Sequence, residues 1–239
     1  MRRAVVLAGG LGTRLRPYTT VLPKPLLPVG DRPVIDIVLR QLSRHGFERV
    51  TVATGHLAEL LEAFVRDGGA YGLSVDYFRE REPLGTVGAL ALIEDLEDDF
   101  LVMNGDVLTD LDFARLLADH CASGAAATVA TKSRELEISL GVLHFDAQDP
   151  TRLVDYTEKP TYRFEASMGV YGFSRQVVAH IEPGARLDFP DLILRLIAAG
   201  ETVRGWRSDH YWLDIGRHTD YEQALEEFEA VRSRLLPPD

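Results

Sequence analysis

Leu7-Ala8-Gly9-Gly10-Leu11-Gly12-Thr13-Arg14-Leu15-Arg16 is the stretch on which the reading of this chain turns. It follows directly on Ala4–Ala8, a short apolar run that reads as a buried strand. Glycines just past a strand let the backbone come close to an anion, and successive N–H groups there can form a nest around phosphate oxygens. The run is not a P-loop, because no Gly-Lys-Ser/Thr closes it. Nor is it the dinucleotide fingerprint, since the third glycine is missing and an arginine intervenes. A plain turn would leave Arg14, Arg16 and the following Pro23-Lys24-Pro25 without a purpose.

Lysine usage supports a phosphate reading. Of 26 basic residues only Lys24, Lys132 and Lys159 are lysine, and two of these precede proline, in Pro23-Lys24-Pro25 and Glu158-Lys159-Pro160. Lysine is a compact point charge and arginine a flat fork. A lysine on a rigid X-Pro dipeptide therefore suits contact with a single phosphate oxygen.

Strand and helix patterns alternate outward from the glycine run. Pro33 suits the first turn of a helix, with Ile35, Val38, Leu39 and Leu42 at helical spacing and His45-Gly46 closing it. The pattern predicts strands at Arg49–Thr54, Ser74–Phe78, Phe100–Met103 and Ala126–Thr131. It predicts helices at Leu57–Val65, Thr86–Ile93 and Phe113–Ala122. Further on come strands at Gly141–Phe145, Leu153–Tyr156, Gly169–Phe173, Val203–Arg207 and Tyr211–Leu213. Helices follow at Val177–Ile181, Leu192–Ala199 and His218–Leu235. The βαβα order implies an α/β fold, a mostly parallel, mixed central sheet with helices on both faces. The second half is expected to extend the same sheet, giving one domain over residues 1–239. Its two halves are residues 1–135 and 136–239.

The totals set limits. A net charge of −11 argues against a nucleic-acid or anionic-membrane partner, which would need a basic face. The apolar run at the N-terminus is too short for a signal-peptide core, and no segment approaches the roughly 18 to 20 apolar residues of a span. A cytoplasmic location is the expectation. The single cysteine, Cys121, excludes an internal disulfide and is expected to pack under its helix, and the seven histidines form no base or metal pair. A homodimer is left open.

In open parallel sheets ligands bind beyond the carboxyl ends of the strands. Gly9–Arg16, Glu82–Thr86 and Asn104-Gly105-Asp106 all fall there. Asp106 ends a hydrophobic strand and Asp214 sits in a second apolar-flanked turn. Magnesium prefers carboxylate oxygens completed by substrate phosphates and water, so two aspartates from different strand ends suit it.

Leu-Ala-Gly-Gly-x-Gly-Thr-Arg-Leu-x-Pro followed by Pro-Lys-Pro resembles the signature of the sugar-1-phosphate nucleotidyltransferases. The resemblance continues through Pro83-Leu84-Gly85-Thr86, Asn104-Gly105-Asp106, Glu158-Lys159-Pro160 and Trp212-Leu213-Asp214-Ile215-Gly216. It implies a Rossmann-like nucleotidyltransferase fold and the transfer of a nucleoside monophosphate from a triphosphate to a sugar 1-phosphate. It assigns catalysis to Arg14, Lys24 and Asp106, and a bound Mg²⁺ to Asp106 and Asp214. It assigns nucleotide binding to Leu7, Ala8, Gly9, Gly10, Gly12, Thr13, Arg14, Lys24, Glu82, Gly85, Thr86, Asn104 and Gly105. Gly141, Glu158, Lys159, Met168, Gly169 and Trp212 would hold the sugar phosphate, with Lys159 on the phosphate itself.

The match loosens at the sugar wall. Leu140 stands where the family often has tyrosine, and Met168 where it often has a polar or small residue. A less polar wall leaves mannose, a heptose, a deoxy sugar or a cyclitol phosphate open. Arg16-Pro17-Tyr18-Thr19-Thr20, Arg44-His45-Gly46-Phe47 and Val102-Met103-Asn104-Gly105-Asp106 resemble the mannose-1-phosphate guanylyltransferase branch, which favours GTP, with Glu82 as a candidate acceptor for guanine N–H groups. Thymidylyl or uridylyl transfer, transfer to phosphocholine, and a silent nucleotide-sugar sensor are the alternatives.

Overall fold

Ala4, Val5 and Val6 are all fully buried, and they alternate between two apolar cores. That is the signature of a strand covered on both faces. The computed structural model describes residues 1–236, so the last three residues of the expected domain lie outside it. In chain order the strands are β1 (Arg3–Ala8), β2 (Pro28–Val29), β3 (Arg32–Pro33), β4 (Arg49–Thr54), β5 (Ser74–Arg79), β6 (Asp99–Asn104) and β7 (Val107–Thr109). They continue as β8 (Ala127–Glu137), β9 (Val142–Phe145), β10 (Leu153–Thr157), β11 (Thr161–Ser174), β12 (Val203–Arg207) and β13 (Trp212–Asp214). The helices are α1 (Val34–Arg44), α2 (Ala58–Val65), α3 (Phe113–Ser123), α4 (Phe189–Ala198) and α5 (His218–Leu235).

Seven strands form the central sheet in the order β12-β8-β11-β6-β1-β4-β5. β6, β1, β4 and β5 run parallel, β11 is antiparallel to both β6 and β8, and β12 is parallel to β8. The fold is therefore a mixed, mostly parallel Rossmann-like sheet, and strands from both halves of the chain share it. Ala4 and Val6 belong to the larger core, under α1, α2, α3 and α5; Val5 belongs to the core under α4. Each helix buries one apolar stripe: α1 gives Ile35, Val38, Leu39 and Leu42, and α4 gives Leu192 and Leu196. Burial of each such side chain contributes about 1.5–3 kcal/mol.

Two predicted helices are not α-helical. Thr86–Ile93 contains only a 3₁₀ turn at Gly88–Leu92, and Val177–Ile181 lies in another at Arg175–His180. Both segments are short, and tertiary bonds outside any helix, such as Val87 N–H to Leu187 O at 3.0 Å, fix the first. Cys121 is exposed on α3, not packed beneath it; the buried residue there is His120, whose Nδ1 lies 2.8 Å from Thr128 Oγ1. β11 is far longer than the expected Gly169–Phe173. Its first half leaves the core and pairs with the outer half of β8, and the small antiparallel pair β9–β10 lies between the two in the chain. No helix among the described residues is long and apolar enough to cross a membrane.

Candidate active site

The chain runs from β1 outward to β4 and β5, then returns to place β6 on the other side of β1. The winding direction changes between β1 and β6, and ligands bind over the carboxyl ends of strands at such a switch. Leu7 pairs with Asn104 across it, so the glycine loop and Asn104-Gly105-Asp106 leave the sheet side by side. Gly105 N–H donates to Leu7 O at 2.9 Å. A Cβ on Gly105 would lie 3.0 Å from that same oxygen and 3.4 Å from the Pro25 ring. Pro25 is buried, so the Pro-Lys-Pro turn is wedged against the Asp106 turn and Lys24 is delivered to it.

The loop is held open by its own backbone. Gly12 has φ +60°, and its carbonyl accepts from the Thr19 hydroxyl at 2.7 Å and from Leu15 N–H at 2.9 Å. Gly10 faces open space, and Thr13 and Arg14 are exposed. Ala8, in β1, is buried beneath the loop. Gly9 is packed from two sides. A Cβ on Gly55 would stand 2.7 Å from Gly9 O, and one on Gly9 itself 2.9 Å from Glu80 Oε1.

Charge concentrates beside this loop. Lys24 Nζ donates to Asp106 Oδ2, both side chains being largely shielded from water. The second oxygen, Asp106 Oδ1, is buried and has no hydrogen-bond partner. Strand pairing brings in the other aspartate: Asp214 of β13 is in register with Val107 of β7, and Ile215 N–H donates to Asp106 O at 3.1 Å. Desolvation, then the like charge of Asp106, pushes the Asp214 carboxyl above its usual range, against the pull of Lys24 and Arg14. A pair of carboxylates with an unfilled buried lone pair calls for a cation. Among the described residues no three His, Cys, Asp or Glu side chains form a metal cluster. Two hard oxygen donors fit Mg²⁺, whose shell is ordinarily completed by phosphate and water.

Gly85 and Thr86 serve to anchor the loop that carries them. Gly85 has φ +77°, with Leu187 O only 2.5 Å from where a Cβ would sit. Thr86 N–H donates to Asp188 Oδ1 at 3.0 Å, and Thr86 Oγ1 accepts from Phe189 N–H at 2.8 Å. The two side chains thus cap each other's backbone at the start of α4. Glu82 is exposed. The acidic residue against the glycine loop is instead Glu80, which sequence reasoning missed. Burial pushes its carboxyl upward, and Oε2 accepts from Leu84 N–H at 3.1 Å. The signals were an acid just past β5 and a glycine, Gly55, just past β4.

On the sugar side the expected residues divide. Gly169 sits at a break in the β11–β8 register with φ +71°, and a Cβ there would be 2.7 Å from Asn104 Nδ2. Asn104 and Gly169 therefore pack together and join the two halves. The Met168 side chain is fully buried in the larger core, so it lines no pocket; its carbonyl accepts from Trp212 Nε1–H at 2.9 Å. Trp212 also carries the Arg134 guanidinium over its ring at 5.3 Å. Gly141 and Glu158 meet at one hydroxyl: Tyr156 OH donates to Glu158 Oε2 at 2.7 Å and would lie 2.1 Å from a Gly141 Cβ. Lys159 is exposed with φ +45°, a conformation that a non-glycine residue holds at a cost of order 1 kcal/mol or more. Leu140 is exposed to solvent.

With this geometry, the chain belongs to the nucleotidyl transferase family, whose model matches residues 3–231. It is 35% identical to a UTP–glucose-1-phosphate uridylyltransferase from Synechocystis, covering 93% of this chain and 62% of that protein. It is also 35% identical to a mannose-1-phosphate guanylyltransferase from Mycobacterium tuberculosis, covering 91% and 62%. The chain thus spans about three-fifths of the length of these relatives. A D-glycero-α-D-manno-heptose 1-phosphate guanylyltransferase from Aneurinibacillus thermoaerophilus is 31% identical, over 95% of this chain and 98% of that one. Among solved structures, HddC from Yersinia pseudotuberculosis, also solved in complex with GMP-PN, superposes with a TM-score of 0.72 at 25% identity, covering 95% of this chain and 100% of that one.

Proposed function

We propose that this chain transfers a nucleoside monophosphate, GMP in the favoured reading, from a nucleoside triphosphate to a sugar 1-phosphate, releasing pyrophosphate. The observation that carries the reaction class is the meeting of Lys24, Asp106 and Asp214 beside the glycine loop at the switch point of the sheet. A silent sensor would have no need of this charge arrangement.

The second pKa of a phosphate monoester is about 6, so the sugar phosphate is mostly ionised at neutral pH and needs no general base. Its oxygen attacks the α-phosphorus as pyrophosphate leaves in line, and no covalent intermediate forms. What the protein supplies is position and charge. Arg14 and the open backbone around Gly10 hold the triphosphate. Lys24, tethered by Asp106, stands against the charge that develops at the α-phosphate. Lys159 holds the phosphate of the incoming sugar, and Glu158 accepts from sugar hydroxyls. Asp106 and Asp214 would hold a bound magnesium ion, which would supply neutralisation of phosphate charge.

Glu80 supports guanine over the other bases. A carboxylate beside the nucleotide loop can accept from the two adjacent N–H groups of a guanine edge, which uracil and thymine lack. This replaces exposed Glu82 as the candidate base reader. The resemblance to mannose- and heptose-1-phosphate guanylyltransferases favours the same base; that to a uridylyltransferase favours the alternative.

The test is direct. The protein is incubated with magnesium, each of the four common triphosphates and a panel of sugar 1-phosphates, and pyrophosphate is measured. Release with GTP and a manno-configured sugar phosphate is expected. No release with any pair would refute the enzyme reading, and release confined to UTP or dTTP would refute the guanylyl assignment.

A further inference from the structure

Of the three lysines, Lys132 alone has no part in the proposed reaction. It stands half-buried in β8, in register with Ala166 of β11. Its ammonium donates to two backbone carbonyls, His210 O and, at 3.5 Å, Asp209 O. Both carbonyls belong to the turn that joins β12 to β13, and β13 ends on Asp214. A compact ammonium with three donors suits two neighbouring carbonyl oxygens better than the flat fork of arginine.

β13 needs an outside tether. It is three residues long and pairs only with β7, which is equally short. A two-stranded ladder of this size is at best marginal in water. Leu213 and Ile215 hold the strand down against the larger core, but apolar burial is non-directional and does not set the course of the turn before it. Hydrogen bonds do. Ser208 N–H donates to Thr131 O at 2.9 Å, next to Lys132 in β8. Ser208 Oγ accepts from His210 N–H at 3.2 Å. Tyr211 N–H donates to Asp110 Oδ1 at 2.7 Å, and Tyr211 O accepts from the Thr109 hydroxyl at 2.6 Å. One end of the turn is thus tied to β8 and the other to β7, and Lys132 holds the two carbonyls between them.

We propose that Lys132 is a positioning residue for the carboxylate pair: by tying this turn to β8 it fixes where β13 begins, and so how Asp214 stands against Asp106. The path is short. From His210 the chain passes through Tyr211 to Trp212, whose Nε1–H donates to Met168 O, and reaches Asp214 four residues on. Ile215 N–H then donates to Asp106 O at 3.1 Å. A slack turn leaves the two carboxylates at variable separation, which weakens a cation held between them. The inference rests on the metal role proposed above for Asp106 and Asp214.

Mn²⁺ is the probe, its binding to the full chain measured by electron paramagnetic resonance beside amide exchange over residues 208–215. The wild type should bind the ion and Asp106→Asn should not. Lys132→Met keeps the reach of the side chain and removes its donors. Its Mn²⁺ affinity should fall about tenfold, the lower end for residues that orient a metal ligand. Exchange at 208–214 should quicken at least tenfold, with the melting midpoint nearly unchanged. Lys132→Arg, which returns charged donors, should recover part of the loss. Arg207→Ala removes an exposed cation at the end of β12, paired with Glu165 at 3.5 Å, and should alter neither measurement. Unaltered affinity in Lys132→Met overturns the proposal, as does an equal loss in Arg207→Ala. If Lys132→Met does not fold, the shorter, uncharged Lys132→Gln carries the same test, and unaltered affinity there overturns it too. A wild type that binds no Mn²⁺ refutes the metal reading and the proposal together; a wild type and a methionine variant that bind it equally refute the proposal alone.

Discussion

Around the glycine loop, β1 keeps Ala4, Val5 and Val6 out of reach of water and presents Gly9–Gly12 from a rigid edge. Glu158 and Lys159, by contrast, hang from a hairpin with no buried residue in either strand. Both regions are read as phosphate sites, yet one is set by close packing and the other by a strap. In the proposed reaction the α-phosphate has to be held in one geometry, and packed parallel strands are suited to hold it. The sugar varies from one relative to another, and a hairpin outside the core can change its residues without disturbing that geometry.

The contrast can be attacked from its strongest point first. Asp106→Asn removes a carboxylate from the rigid side. Pyrophosphate release should fall by about 10³, while the melting midpoint stays nearly constant because no core contact is lost. Near-normal turnover would show that Asp106 holds no metal. Lys159→Ala strikes the strap. The kcat/KM for sugar phosphate should fall by about 10² with the KM for triphosphate unchanged, as measured by initial rates. If both substrates weaken together, the two regions are not separate sites.

Gly85→Ala asks whether the loop anchor is structural. The new Cβ meets Leu187 O at 2.5 Å with φ at +77°, so about 2 kcal/mol of stability should go, or about 6 °C in midpoint. A variant as stable as the parent would show that the turn is free of α4.

The smallest effect on stability concerns Asp214. A carboxyl raised above its ordinary range destabilises the folded state once ionised. That penalty is absent in acid and sets in as pH rises through the unfolded value towards the raised folded one. In metal-free protein Asp214→Asn should therefore raise the midpoint at pH 7 and not at pH 4, by no more than about 2 °C because the residue faces solvent. It should abolish turnover all the same, which thermal scans and rate assays on one preparation would establish.

The glycine run, Pro-Lys-Pro and the apolar strands were legible because each is a local pattern with one physical meaning. The order of α/β elements and the Rossmann-like sheet followed from periodicity and chain order. Met168 was read as pocket wall because its neighbours form a motif, yet whether a strand residue faces pocket or core depends on the register break at Gly169. Glu82 was preferred over Glu80 because it adjoins Pro-Leu-Gly-Thr; only the approach of Gly9 to Glu80 shows which acid meets the loop. Thr86 is expected among the nucleotide-binding residues, and only the tertiary structure shows that its hydroxyl also caps α4 from 103 residues away.

By itself the sequence determined the fold class, the glycine-rich loop and the charged residues beside it, because these depend on residue types and spacings close in the chain. Tertiary structure alone decided that Asp214 stands beside Asp106, that Glu80 rather than Glu82 meets the loop, and that the sugar-side residues ride on an uncovered hairpin. The reason is register: pairing β7 with β13, and breaking the β8–β11 ladder at Gly169, chooses neighbours that lie far apart in sequence.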